Sequence, residues 1–142
     1  MAGARFSQIN LVVRDLDETL GFYRRLGLDI PPTAVWSVDG KAHHAQAGGD
    51  AHLEFDSHPL AHTYNEGFAA ERGRVMIGVE LASREAVDEL WTAVIAEGCQ
   101  GLQPPCDAFW GARLAIIEDP DGNPVSLMSP VDPARRGQPP AL

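Results

Sequence analysis

The chain repeats itself. A shift of roughly 68 residues lays 8–13 on 76–81, Asp15 on Ser83, and Phe22-Tyr23 on Leu90-Trp91. Strand phase, helix cap and helix stripe all match across that shift. A repeat of this kind sets the fold ahead of any local assignment.

Each half opens as strand then helix. Residues 6–13 alternate, with Ile9, Leu11 and Val13 facing one way and Gln8, Asn10 and Val12 the other. That pattern is a half-buried strand with a polar second face. Asp15 is a helix N-cap, and Glu18 is the reciprocal member of a capping box. Leu16, Leu20, Tyr23 and Leu26 recur at helical spacing, and Gly27 ends the helix. Pro31-Pro32 marks a break. Residues 33–38 and 41–46 flank Asp39-Gly40, a two-residue hairpin signal. Gly48-Gly49-Asp50 makes another turn. In the strand at 52–56, Leu53 and Phe55 lie opposite His52, Glu54 and Asp56.

Residues 57–73 read as a polar connector with a helical stretch around 60–70. The pattern then restarts. Val75, Ile77, Val79 and Leu81 oppose Met76, Gly78 and Glu80; Ser83 caps a second helix. Val87, Leu90, Trp91, Val94 and Ile95 form its apolar stripe, and Gly98 closes it. A short strand at 100–103 precedes Pro104-Pro105. The last hairpin turns at Asp119-Pro-Asp-Gly-Asn123, where Pro120 presets one φ and Gly122 can take a positive one. After it, Val125 and Leu127 share one face, Ser126 and Met128 the other. From Asp132 on, the chain reads as a frayed tail.

Two βαβββ modules follow, at 1–56 and 74–130, with a connector at 57–73 and a flexible tail at 131–142, in one structural domain. The 142 residues suit that size. A formal net charge of −9 disfavours nucleic acid, whose phosphates need Lys and Arg. No apolar run of about 18 residues offers a membrane span. The start of the chain lacks the apolar core of a signal peptide, so the expected location is cytoplasmic. Cys99 and Cys106 are then expected as reduced thiols.

The doubled module, the stretch Asp-Leu-Asp-Glu-Thr-Leu-Gly-Phe-Tyr-Arg-Arg-Leu-Gly-Leu from Asp15, and the closing Trp110-Gly111 with Asp119-Pro-Asp-Gly-Asn123 resemble the vicinal oxygen chelate superfamily. That group holds glyoxalase I, extradiol dioxygenases and bleomycin-resistance proteins. The resemblance covers about residues 6–130. It implies an α+β fold: two four-stranded mixed sheets side by side, each curled around a cleft, with helices outside. It also implies a homodimer. Ile9, Leu11, Val13, Ile77, Val79, Val125 and Leu127 would pack under the helices. Gln8, Asn10, Glu54, Met76, Gly78, Ser126 and Met128 would face the cleft.

Metal-dependent members draw ligands from four cleft positions, and the carry-over gives Gln8, Glu54, Met76 and Ser126. Gln8 and Glu54 suit a divalent ion. A thioether and a neutral hydroxyl do not, because hard ions want oxygen or imidazole donors. No metal cofactor is therefore expected, and no catalytic residue. A divalent ion on Gln8 and Glu54, with His52 or His44 compensating for the missing donors, is the alternative; it would serve a glyoxalase-like lyase or isomerase with Glu54 as ligand or base. His58 and His62 have a zinc-like spacing, but no third ligand is evident. Trp36, Phe55, Phe109, Trp110 and Met128 are candidates for an aromatic pocket. Together these imply a small-molecule binding protein, sequestering a drug-like or aromatic ligand as antibiotic-resistance proteins of this type do. His52 and Glu54, neighbours on one strand face, would stand at the cleft rim as a hydrogen-bonded pair, or with His43 or His44 would form an off-pattern metal site or an acid/base pair.

Overall fold

The computed structural model describes residues 3–25, 29–39, 42–47, 52–71, 75–118 and 122–140, with the side chains of Phe22, Tyr23, Arg25, Ala42, His43, His52 and Leu53 outside that set. The first half contains β1 (Arg5–Val13), α1 (Leu16–Arg25), β2 (Val35–Val38), β3 (Ala42–Ala47) and β4 (His52–Ser57). A connecting helix, α2 (His58–Tyr64), follows. The second half contains β5 (Val75–Glu80), α3 (Arg84–Ala96), β6 (Gly101–Asp107), β7 (Arg113–Glu118) and β8 (Pro124–Met128).

All eight strands form one mixed sheet, rather than two sheets of four, in the order β2-β3-β4-β1-β5-β8-β7-β6, because β1 and β5 pair. The repeat is visible in the pairing. Each module runs its first strand parallel to its last, β1 with β4 and β5 with β8. The two first strands, β1 and β5, meet antiparallel in the middle. The caps stand where the sequence puts them: Asp15 Oδ1 accepts from Glu18 N at 3.0 Å and Ser83 Oγ from Ala86 N at 3.1 Å. Each satisfies a backbone donor that the first helical turn leaves open.

One face of the sheet carries α1 and α3. Under α1, Leu16 and Leu20 pack with Ala45, Ala47 and the fully buried Phe55, which is therefore core and not part of the aromatic pocket expected of it. Under α3, Val87 packs with Leu81, Ala115 and Leu127, joined by Val79, Leu90, Trp91 and Val125. The expectation that Ile77 lies beneath a helix fails, because it is 37 % exposed. Since α1 covers the β4 side and α3 the β6–β8 side, the β1–β5 seam lies between them. Phe6 and Val75 are exposed on that seam with Ile77.

The helices do not all share that face. α2 packs on β1, β3 and β4, and its Tyr64 bonds Asp56 on the opposite side from Phe55. Ser57 caps α2, its Oγ accepting from Leu60 N at 3.3 Å. The helix stops at Tyr64, short of the expected reach to about residue 70.

Two strand expectations also change. Val38 pairs with Ala42, so β3 begins at Ala42 rather than at position 41, and Asp39 takes a positive φ of 51°. And β6 runs straight through Pro104-Pro105. It can because it is an edge strand with register breaks at Gly101/Gln103 and Gln103/Cys106, where missing N–H donors cost no ladder bond. Gly122 has its positive φ, 85°. The roles assigned to Gly27, Gly40, the Gly48-Gly49-Asp50 turn and Pro120 lie outside the described residues. Among the described residues no helix is long and apolar enough to cross a membrane.

Candidate functional site

The face opposite α1 and α3 is built from rows of side chains that cross the sheet. Strand register sets them. One row runs Trp36, His44, Asp56 over β2, β3 and β4. The next runs Gln46, Glu54, Asn10, Met76 over β3, β4, β1 and β5. A third runs from position 52 through Gln8, Gly78 and Ser126 to Ile116. Alternation in each strand is why these residues share a face. So Gln8, Asn10, Trp36, Glu54, Met76 and Ser126 come together as the sequence implied, with Met128 beside them opposite Leu114. His52 stands in the third row, and its side chain is outside the described set.

The half of the face over β3, β4 and β1 is polar and tightly bonded. Gln8 Nε2 donates to Glu54 Oε2 at 2.7 Å and to Asn10 Oδ1 at 2.8 Å. Asn10 Nδ2 reaches Glu54 Oε2 at 3.1 Å and Asp56 Oδ2 at 3.0 Å. Tyr64 donates its phenol to Asp56 Oδ2 at 2.7 Å, and His44 Nδ1 lies 2.6 Å from Asp56 Oδ1. Gln8 can lie flat because Gly78 is beside it; a Cβ there would collide with Gln8 Cγ. Among the described residues no buried side-chain nitrogen or oxygen lacks a partner.

Burial disfavours a charged His44 ring, but the bond to Asp56, its charge and that of Glu54 outweigh burial and raise the pKa above the ordinary 6.5. Burial first, and then the Asp56 charge, push the Tyr64 phenol well above 10.0. The folded His44 therefore holds its proton more tightly than the unfolded chain does. Its stabilising contribution is complete below about pH 6.5 and is lost as pH rises through the raised value. His44→Gln should accordingly cost more stability at about pH 5.5 than at about pH 8. Urea melts of both proteins at the two pH values measure this; an equal cost at both would contradict the assignment.

The other half of the face is hydrocarbon. Met76, Leu114 and Ile116 are buried together, with Tyr64, Leu102, Cys106 and Trp110 against them. On this geometry the four carry-over positions can be weighed as metal ligands. Glu54 Oε2 is already held by two amides, Met76 is packed in an apolar cluster, and Ser126 is 2 % exposed beside Gly78 and Ile116. One carboxylate, one amide, a thioether and an alcohol do not fit a catalytic divalent ion.

Aromatic rings border both halves. Trp36 stacks at a tilt on His44, centroids 5.5 Å apart, and meets Phe109 edge-on at 5.9 Å. Phe109 meets Trp110 at 5.1 Å, and Trp110 meets Tyr64 at 5.9 Å. Trp110 Nε1 also donates to Met128 Sδ at 3.3 Å. Phe109 and Trp110 sit on the loop between β6 and β7, which the chain after β8 straps down. Asp132 N bonds Gly111 O and Gly137 N bonds Phe109 O at 2.8 Å, so the stretch read as a frayed tail is tied to this loop.

Sequence reasoning missed Tyr64, since nothing in a polar connector marks a residue that reaches back to β4. The sequence marks His44 only as a helper, and Asp56 only as a face residue. His58 and His62 do share a side of α2, where the Phe68 ring lies against both, 5.5 and 4.8 Å away.

A comparison with curated protein sequences gives no match. Among solved structures, a hypothetical protein from Bacillus halodurans is similar at 17 % identity and TM-score 0.63, over 92 % of this chain and 96 % of that one. A Streptomyces coelicolor methylmalonyl-CoA epimerase is similar at 18 % identity and TM-score 0.61, over 90 % and 98 %. At such identities the likeness is one of fold. The profile of the Glyoxalase/Bleomycin resistance protein/Dioxygenase superfamily matches residues 5–127, and the chain belongs to that superfamily.

Proposed function

We infer that this chain binds a flat, largely apolar small molecule against the row-lined face, without a metal ion, as a sequestering protein does. One observation carries the reading: Trp36 touches Phe109. Trp36 is on the edge strand β2, and Phe109 is on the loop at the far side of the sheet. Eight strands laid flat would hold their outer members about 34 Å apart at about 4.8 Å per step. Ring contact at 5.9 Å supports a sheet that curls enough for this loop to reach β2, with this face inside. A concavity with rings at its border, hydrocarbon on one wall and bonded polar groups on the other suits a small organic ligand.

Acridine at about pH 8, where it is neutral, is a direct probe. It should quench tryptophan emission saturably and raise Tm, and chelator should leave both unchanged. Trp36→Ala and Phe109→Ala should each weaken binding about two- to tenfold, the worth of one aromatic contact. Stoichiometric divalent metal in protein purified without chelator, with binding lost on its removal, would overturn the reading.

A further inference from the structure

We propose that His44, held by Asp56, is a proton acceptor on this face, able to take a proton from a weak acid bound beside Trp36 with no metal ion involved. The proposal rests on the reading of this face as a binding site and adds an activity to it.

The geometry has three parts. The first is direction. Nδ1 faces Asp56 Oδ1 at 2.6 Å, so Nδ1 carries the hydrogen and the lone pair sits on Nε2. Among the described residues nothing hydrogen-bonds Nε2, and no side-chain nitrogen cut off from solvent lacks a partner; Nε2 therefore keeps contact with solvent. The His44 side chain is 19 % exposed, against 4 % for Asp56.

The second part is rigidity. Asp56 is fixed by three groups from three elements: His44 on β3, Asn10 on β1 and Tyr64 on α2. The ring itself lies on Trp36. A base oriented by a buried carboxylate that is itself oriented is the arrangement proton transfer requires. A merely structural histidine needs the Nδ1 bond but has no need of an open Nε2.

The third part is charge. The charged groups acting on His44 are Asp56 and Glu54 from β4; the Tyr64 phenol from α2 meets it only through Asp56, and Trp36 on β2 is uncharged. Both carboxylates favour a protonated ring, and this makes neutral His44 a stronger base than free imidazole.

The test uses 5-nitrobenzisoxazole, a flat aromatic acid of carbon. In the step, Nε2 takes the isoxazole C–H proton and that bond's electron pair becomes part of the nitrile. The N–O bond breaks with its pair left on oxygen, giving a yellow phenolate. Water then removes the proton from His44. Wild-type protein should exceed His44→Gln by roughly a hundredfold or more, the low end of general-base catalysis. Its rate should climb with pH to a plateau, with a midpoint above 6.5. Asp56→Asn should lower both midpoint and plateau, which loss of packing alone does not do. Diethyl pyrocarbonate labelling, mapped by mass spectrometry, should find His44 reactive in folded wild type.

Equal turnover in wild type and His44→Gln overturns the proposal, as does an unreactive His44. If acridine still quenches tryptophan emission in that case, the binding reading stands alone. If acridine does not bind either, both fall.

Discussion

Phe55→Ala is expected to cost about 3–5 kcal/mol of folding free energy, the usual price for removing a buried phenyl ring. Phe55 is fully buried and packs with Leu16, Leu20, Ile30, Ala45 and Ala47, so the cavity opens between α1, β3 and β4 at once. Backbone pairing to β3 and β1 on either side limits how far β4 can collapse into the gap. A domain of this size has about 5–15 kcal/mol in total, so the variant keeps only part of its margin. Its Tm should fall by on the order of 10–20 °C. The damage should also reach the other face, because Glu54 and Asp56 flank Phe55 and depend on β4 holding still. Urea denaturation with an unchanged m-value measures the loss. A cost below about 1 kcal/mol would mean that the core under α1 is not packed as described.

Gly111→Ala should have the second-largest effect, and it should be local. Gly111 sits at φ +98°, where a side chain is strained, and a Cβ there would run into the backbone oxygen of Asp132. The dihedral alone costs on the order of 1–3 kcal/mol. The collision cannot be relieved by a rotamer change because backbone meets backbone. Either the loop carrying Phe109 and Trp110 shifts, or the strap lifts and breaks Asp132 N to Gly111 O and Gly137 N to Phe109 O. Tryptophan emission should therefore move to the red, and protease should cut the 131–140 stretch faster. Wild-type emission together with wild-type protease resistance would show that the strap does not hold this loop.

The repeat was legible because each module writes it locally. Asp15 and Ser83 cap, alternation phases β1 and β5, and apolar stripes mark α1 and α3. The face that Gln8, Asn10, Glu54, Met76 and Ser126 share followed from the same alternation. What the sequence could not show depends on distant partners. Pro104-Pro105 reads as a stop until β6 is known to lie at an edge. Ile77 reads as core until the two helices are seen to leave the seam between them. Tyr64 reads as connector, and no local pattern says that its phenol lands on a carboxylate eight positions earlier. His44 became more than a helper only when register set it level with Asp56.

The two prolines of β6 have one more consequence. A sheet that does not close on itself presents bare ladder groups along its margins, and foreign chains can zip onto them to start fibrils. On the β6 margin two N–H donors in a row are missing, so an incoming strand finds no continuous ladder. The β2 margin is only four residues long. Growth by strand addition is thus discouraged at both margins, by chemistry at one and by brevity at the other.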